Sequence, residues 1–317
     1  MSVPSITIED IRSAEARIHG YAYRTPTYPA FSERSTWLKL ECFQPVRSFK
    51  IRGAANRILS LSAEDMKKGV ITASSGNHGL AVAYVAHKLK MNATIVLPEN
   101  VVPEKLEMIK SYDVKTVFAG RQQDERVQKA NEIQRSEGLV FIQPFNDLMT
   151  ITGQGTCGLE LMEDAPNLES IYVPIGGGGL ISGVAAAVKL GGMRAKVIGV
   201  QPEGSPSMYA SVKQGKLSSI EESRTIADGL SVRRPGDITY SLVRQFVDDI
   251  ILVSDDDILG ATGQLITKEH VLAEPSGAAA LAGLLKTRRE KDRIERSAAI
   301  VSGGNISKEV LARILTR

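Results

Sequence analysis

Short apolar runs alternate with longer amphipathic segments along the chain from about Val70 onward. Runs rich in β-branched and aliphatic residues predict buried strands, and the longer patterns between them predict helices. The predicted strands are residues 70–74, 93–98, 114–120, 139–145, 170–175, 196–202, 248–255 and the start of 297–304. The predicted helices are residues 79–90, a segment from Pro103, 123–138, 180–190, a segment near Ser207, two helices within about 256–288 and a short final helix.

This alternation is typical of parallel sheets covered by helices on both faces. In such folds, ligands bind in the loops at the carboxyl ends of the strands. Three polar, glycine-rich loops follow three of the predicted strands: SSGN at 74–77, GGGG at 176–179 and SGGN at 302–305. We therefore expect an α/β fold in which these loops converge on one ligand.

Composition excludes several classes of protein. The 317 residues carry a formal charge of only +3, and aromatic residues make up 5%, so neither nucleic acid nor a membrane is expected as a partner. Cys42 and Cys157 are too few for a disulfide framework, and the first twenty residues contain no apolar signal core. These features favour a cytoplasmic protein.

The tetraglycine Gly176–Gly179 stands between an apolar strand and an apolar helix. Consecutive glycines let several backbone N–H groups point at one anion, and the positive end of the following helix adds to the attraction. One glycine would be enough for a simple tight turn. The loop lacks the Lys-Ser/Thr ending of a nucleoside-triphosphate loop, so we predict a different kind of phosphate site.

A second glycine motif, GQGTCG at 153–158, matches the spacing of dinucleotide-binding loops. The residues before it do not form a convincing strand, and no acidic residue closes a second strand after it. We expect a helix start with glycines that allow close packing. A dinucleotide-binding oxidoreductase is kept as a distant alternative.

Lys50 lies between Phe49 and Ile51, and an apolar setting can lower the pKa of a lysine and make it an amine nucleophile. Most lysines are solvated surface charges, which is the alternative interpretation. The segment SSGNHG, residues 74–79, would place polar groups at a helix N-terminus suited to a carboxylate, or would simply cap that helix. Taken alone, His78 is more typical of a structural histidine.

Together these motifs resemble the threonine dehydratase and serine racemase family, the fold-type-II (tryptophan-synthase-β-like) pyridoxal-phosphate enzymes. SFKIRGA, SSGNHG, GQGT, PIGGGG, EPSGAAALAG and VSGGN occur in the family's order and span nearly the whole chain. The resemblance implies two parallel-sheet-based domains: a large cofactor-binding domain of residues 1–67 and 147–317, and a small mobile domain of residues 68–146. It also implies a homo-oligomer, a dimer or a tetramer.

The resemblance also implies a role for each matching residue. Lys50, next to Phe49, would be the Schiff-base lysine and an acid and base at the substrate α-carbon, and Asn77 would bind the phenolic oxygen of pyridoxal phosphate. Ser302 would lie on the pyridine nitrogen. The phosphate would be bound by Gly176, Gly177, Gly178, Gly179 and Leu180, Glu274 would point into the site, and the substrate carboxylate would be bound by Ser74, Ser75, Gly76 and His78.

The implied reaction is dehydration and deamination of L-threonine or L-serine to a 2-oxo acid and ammonia, with hydroxyaspartate as another possible substrate. Ser75 matches the racemase-like members, in which this serine is the acid and base on the opposite face. Serine racemase with side dehydration is therefore the alternative. The racemase-type metal site expects acids where this chain has Gln201 and Ser207; Glu203 is a shifted, weak candidate, so a cation cofactor stays open.

Overall fold

The computed structural model describes residues 5–101, 103–291 and 294–316. The strands are β1 (Thr27–Pro29), β2 (Thr36–Leu40), β3 (Val70–Ala73), β4 (Ala93–Leu97), β5 (Lys115–Phe118), β6 (Val140–Phe141), β7 (Ser170–Pro174), β8 (Lys196–Pro202), β9 (Asp249–Val253) and β10 (Ser297–Val301). The helices are α1 (Ile8–Ile18), α2 (Lys50–Leu59), α3 (Ala63–Lys68), α4 (Asn77–Lys88), α5 (Pro103–Lys110), α6 (Gln123–Glu137), α7 (Leu148–Asp164), α8 (Gly179–Leu190), α9 (Ser207–Gln214), α10 (Asp237–Phe246), α11 (Asp255–Thr267), α12 (Pro275–Lys291) and α13 (Lys308–Leu315). Within these described residues, none of the helices has the length and apolar character that crossing a bilayer would require.

The strands form two sheets. The larger sheet has the order β1-β2-β10-β7-β8-β9, and all its neighbouring pairs are parallel except β1 with β2. The smaller sheet has the order β5-β4-β3-β6 and is entirely parallel. The predicted α/β class with parallel sheets is confirmed. The strands of the smaller sheet all come from residues 70–141, while the domain boundaries at 67 and 147 stay a prediction.

One predicted strand is shorter than expected, and the helices α1, α2, α3 and α10 were not predicted. The strand expected over 139–145 is only two residues long, because the chain turns away at Pro144, which has no N–H for a ladder. The helix α10 begins after Pro235 and Gly236, and its buried side chains recur at helical spacing on one face. It carries Thr239 and lies against the tetraglycine loop.

The motif GQGTCG does not start a helix; it lies inside α7, which begins five residues earlier at Leu148. The expected close packing is present. A Cβ on Gly153 would lie 2.6 Å from the carbonyl oxygen of Arg52 in α2, and one on Gly155 would lie 3.0 Å from the carbonyl oxygen of Gly183 in α8. Because the motif is buried in helix-helix contacts, its amide groups are not presented to a dinucleotide.

Candidate active site

The three glycine-rich loops meet at one cavity of about 330 Å³. It lies where the carboxyl ends of β3, β7 and β10 come together, so that Ser74, Gly176 and Ser302 all line it. The expected convergence of these loops is therefore observed. A fourth wall, Pro144 and Phe145 after β6, was not predicted.

Lys50 is the first residue of α2, and its side chain is half-buried in the cavity wall. Its Nζ donates to the carbonyl oxygen of Pro144 at 3.0 Å and lies 5.0 Å from the centre of the Phe49 ring. Burial away from water lowers the pKa of Lys50 to about 8. A substantial fraction of the amine is therefore uncharged, and thus nucleophilic, at mildly alkaline pH.

The tetraglycine connects β7 to the N-terminus of α8, and glycine is required at two of its positions. Gly178 has φ of +95°, a conformation that side chains with a Cβ rarely adopt. A Cβ on Gly177 would lie 2.4 Å from Cδ1 of Phe145. The first turn of α8 leaves its N–H groups without partners inside the helix, so the loop presents a cluster of donors to an anion.

The SSGNHG loop leads into α4, which begins within the motif at Asn77. Ser74, Ser75 and Gly76 are half-buried and line the cavity. A Cβ on Gly79 would lie 2.1 Å from the carbonyl oxygen of Ser74, so glycine is what lets the loop fold back over the start of the helix. The two hydroxyls are thereby held next to the free N–H groups of α4.

His78 is buried and forms a hydrogen bond through one of its two ring nitrogens. Its Nε2 lies 2.9 Å from the carbonyl oxygen of Ile142, which makes Nε2 the donor, and its Nδ1 has no hydrogen-bond partner among the described residues. Burial, together with the charge of Lys50, lowers the pKa of His78 to about 3. The imidazole is therefore neutral, and the side-chain N–H that a carboxylate would need is already used.

Asn77 stands in a short chain of hydrogen bonds. Its Nδ2 donates to Oε1 of Glu274 at 2.6 Å, and its Oδ1 accepts from Nδ2 of Asn305 at 2.7 Å. Because an amide nitrogen carries two protons, Asn77 keeps one for a ligand in the cavity. Burial, and then the negative charge of Asp228, raise the pKa of Glu274 to about 7 despite the hydrogen bond from Asn77.

Ser302 lies directly after β10, buried, with its side chain at the cavity. Its Oγ has only a long contact, 3.4 Å, to the carbonyl oxygen of Ser276. Its carbonyl oxygen accepts from the N–H of Phe49 at 3.1 Å, which ties this loop to the segment carrying Lys50. The hydroxyl is thus free to rotate toward a ligand.

The mouth of the cavity carries charges that the sequence interpretation missed. Lys105 of α5 donates to Oδ2 of Asp228 at 2.9 Å, and this contact joins the helix between β4 and β5 of the smaller sheet to the segment between β8 and β9 of the larger one. Arg126 of α6 also lines the cavity. These charges lie far apart in sequence and outside any motif, so no sequence pattern pointed to them.

Arg52, two residues after Lys50 in the first turn of α2, ties that helix to neighbouring acidic residues. It is 1% exposed, and its guanidinium binds both oxygens of Glu41 and both oxygens of Glu160 at 2.6–2.8 Å. Burial opposes its charge, but the two carboxylates outweigh it and raise the pKa of Arg52. The helix end that carries Lys50 is therefore fixed by a buried, bidentate ion network.

Glu203 does not lie among other carboxylates. Its Oε1 is 3.5 Å from Nζ of Lys286, while Gln201 and Ser207 are fully buried and Oε1 of Gln201 accepts from the N–H of Tyr209 at 2.8 Å. Among residues 5–101, 103–291 and 294–316, no group of three or more His, Cys, Asp or Glu side chains could hold a metal ion. Both cysteines, Cys42 and Cys157, are free and buried.

Several known proteins resemble this chain in sequence and in structure. Residues 18–303 match the family model described as "Pyridoxal-phosphate dependent enzyme". The L-threonine ammonia-lyase of Thermotoga maritima is 41% identical over 98% of this chain and 79% of that protein, and the catabolic L-threonine dehydratase TdcB of Escherichia coli K12 is 39% identical over 98% and 96%. The structure of maize serine racemase is 38% identical, covers 99% of this chain and 98% of that chain, and has a TM-score of 0.93.

Proposed function

The chain belongs to the family of pyridoxal-phosphate-dependent enzymes, and we propose that it dehydrates and deaminates L-threonine or L-serine to a 2-oxo acid and ammonia. The observation that carries the proposal is that one cavity holds both a lysine of lowered pKa and a glycine-built anion site. The dehydratase relatives support the choice of substrate.

The cavity fits pyridoxal phosphate by its own geometry. A phosphate needs several N–H donors at close approach, and Gly177 and Gly178 provide a loop in which a Cβ would strike Phe145 or Met208. An aldehyde needs an uncharged amine, which Lys50 provides in the same cavity. The bound cofactor supplies an electron-accepting ring for the substrate α-carbon.

Each residue then has a role that follows from its surroundings. The amine of Lys50 would hold the cofactor through its aldehyde and, once the substrate amine has displaced it, would take the proton from the substrate α-carbon. Asn77 would donate its second amide proton to the phenolic oxygen, and Ser302 would offer a neutral hydroxyl to the pyridine nitrogen. A neutral partner there leaves the nitrogen largely unprotonated, which favours prompt loss of the β-hydroxyl.

The substrate carboxylate is bound by the SSGNHG loop, with a refined role for His78. Because the only N–H of the His78 ring donates to Ile142, the donors are the hydroxyls of Ser74 and Ser75 and the backbone N–H groups at the start of α4. His78 contributes through its backbone and by holding the loop to β6. Phe49 shields Lys50, and Glu274 holds Asn77.

The test is to incubate the protein with L-threonine, L-serine and 3-hydroxyaspartate in turn and to measure the release of 2-oxo acid and ammonia in equal amounts. Equal release from L-threonine or L-serine is the expected result. Release from hydroxyaspartate alone would move the substrate assignment to that acid. Absence of product from all three would refute the proposed reaction.

Serine racemase is the second candidate, because Ser75 lines the cavity and the maize serine racemase structure matches closely. Racemisation needs a proton donor on the face opposite Lys50, and Ser75 would supply it. Chiral chromatography of L-serine incubations, with Ser75→Ala alongside, separates the two activities. If the Ser75→Ala variant no longer forms D-serine from L-serine but still forms 2-oxo acid, the racemase role belongs to Ser75.

We further propose a cytoplasmic homo-oligomer, a dimer or tetramer. The two thiols are buried and unpaired, and large apolar side chains are exposed at Phe31, Phe43 and Leu272. Sedimentation of the purified protein tests the assembly, since a monomer at micromolar concentration would contradict it. Activity measured with and without Mg²⁺ or K⁺, after exhaustive chelation and dialysis, decides whether a cation is a cofactor.

A further inference from the structure

Thr239 lies outside the cavity but touches the loop that forms its anion site. It belongs to the first turn of α10 and is fully buried. Its Oγ1 lies 2.7 Å from the carbonyl oxygen of Gly177 and 3.2 Å from that of Gly236. A hydroxyl has one proton, and the shorter contact identifies Gly177 as its acceptor.

This hydrogen bond fixes the direction of a peptide group. In a trans peptide the C=O of one residue and the N–H of the next point in opposite directions. With the carbonyl of Gly177 held toward Thr239, the N–H of Gly178 points away from α10. Gly178 itself lines the cavity, so the donor is turned to the side where an anion binds.

The next peptide is held in the same sense by the helix. The carbonyl oxygen of Gly178 accepts from the N–H of Ser182 at 3.0 Å, which leaves the N–H of Gly179 pointing out of the N-terminus of α8. The helix sets this second peptide, but no helical bond sets the first one. Between two glycines a peptide can rotate easily, so the first needs an external constraint.

The side chains around the loop restrict its position but do not orient that peptide. A Cβ on Gly177 would meet the ring of Phe145, and one on Gly178 would meet Met208 Cε at 2.6 Å and Thr239 Cβ at 2.9 Å. The contacts of Phe145 and Met208 are apolar and exert no preference between the C=O and N–H directions. The hydroxyl of Thr239 does.

We propose that Thr239 is a positioning residue that holds the Gly177–Gly178 peptide with its N–H directed at the phosphate of the cofactor. The inference rests on the proposed function and adds a residue to it. Thr239 does not touch the cofactor and acts only through the loop.

The test compares two aldehydes that differ only in the phosphate. Full-length protein stripped of cofactor is titrated with pyridoxal 5′-phosphate and with pyridoxal, and binding is followed by absorbance. Thr239→Val keeps the branched shape and removes the hydroxyl. We expect its affinity for pyridoxal phosphate to fall about tenfold or more, the effect of one lost hydrogen bond, while its affinity for pyridoxal stays within about twofold.

Two further variants separate positioning from general damage. Thr239→Ser restores a hydroxyl and should recover most of the preference for the phosphorylated aldehyde. Ser182→Ala removes a nearby buried hydroxyl that bonds the carbonyl oxygen of Thr239 at 3.3 Å and not the glycine loop. It should lower stability without changing the ratio of the two affinities.

The outcomes are distinguishable. If wild-type protein prefers pyridoxal phosphate and Thr239→Val keeps the same preference, the role of Thr239 is refuted while the proposed function stands. If wild-type protein binds neither aldehyde, the proposed function fails and takes this inference with it. Should Thr239→Val not fold, Thr239→Cys, a weaker donor of similar size, must show a reduced preference; an unchanged one overturns the role.

Discussion

Glu274 offers a quantitative test of the site, because its carboxyl group is buried next to Asn77 and its pKa is raised from 4.5 to about 7. The native protein therefore binds a proton there, between pH 4.5 and 7, that the unfolded chain has released. Stability contributed by this group is fully present below pH 4.5 and is lost as the pH rises to about 7. Glu274→Gln mimics the protonated carboxyl at every pH and removes this loss.

The size of the effect follows from the same values. A rise in pKa from 4.5 to about 7, at about 1.4 kcal/mol for each pH unit, corresponds to roughly 3 kcal/mol in the free energy of unfolding. We expect Glu274→Gln and wild type to be similarly stable at pH 4.5, and the variant to be the more stable by roughly this amount at pH 8. Other titrating groups, His78 among them, are common to both proteins and largely cancel in the difference.

The assay is urea unfolding of the cofactor-free proteins at half-unit steps from pH 4.5 to 8. Glu269→Gln is the matched control, because Glu269 is also buried but hydrogen bonds from Ser32 and the N–H of Phe31 outweigh the burial and lower its pKa. The difference in free energy of unfolding between Glu269→Gln and wild type should stay nearly constant over this pH range. A flat difference for Glu274→Gln as well, or one that falls with pH, would refute the account of Glu274 as a carboxyl kept neutral by burial.

Three further changes have expected outcomes that follow from the contacts. Gly177→Ala should weaken binding of pyridoxal phosphate in an absorbance titration and lower the free energy of unfolding by about 1–3 kcal/mol, because the new Cβ meets the ring of Phe145; unchanged affinity would contradict the tight fit of the loop. Arg52→Met should cost about 3–5 kcal/mol in urea unfolding, since it removes the cation that pairs with buried Glu41 and leaves Glu160 with Lys39; a cost below about 1 kcal/mol would show that the network does not hold α2. Lys105→Met should change stability by no more than about 1 kcal/mol but raise the KM for the amino acid, because Lys105 and Asp228 form an ion pair in the wall of the cavity; an unchanged KM would remove that role.

Periodicity predicted those parts of the fold that follow a regular alternation. The strands β3, β4, β7 and β10 are buried along their length, and β8 is buried after its first residue; their apolar runs are visible without any tertiary information. The segment before Val70 was not covered, since β1 and β2 are short and owe their place to pairing with each other and with β10. Such long-range pairing leaves little local signal.

The residues of the site also divide into those with a local signal in the sequence and those without one. Lys50 and Gly176–Gly179 were predictable because an apolar setting for an amine and a run of glycines each have a local physical meaning. Phe145 and Asp228 were not, because each reaches the cavity through the fold and belongs to no motif. The role of Arg52 was not predicted either, because Glu41 and Glu160, the two acids that bind its buried guanidinium at the start of α2, are distant from it in sequence.

The central claim is that Lys50 binds pyridoxal phosphate through its amine, and a visible absorption spectrum tests it directly. Purified wild-type protein should show an absorption band in the visible that sodium borohydride bleaches. After this reduction, the cofactor should remain covalently attached to the peptide that contains Lys50. Lys50→Ala should lack the band. A wild-type protein without such a band after addition of pyridoxal phosphate, or a Lys50→Ala variant that keeps it, would contradict the account.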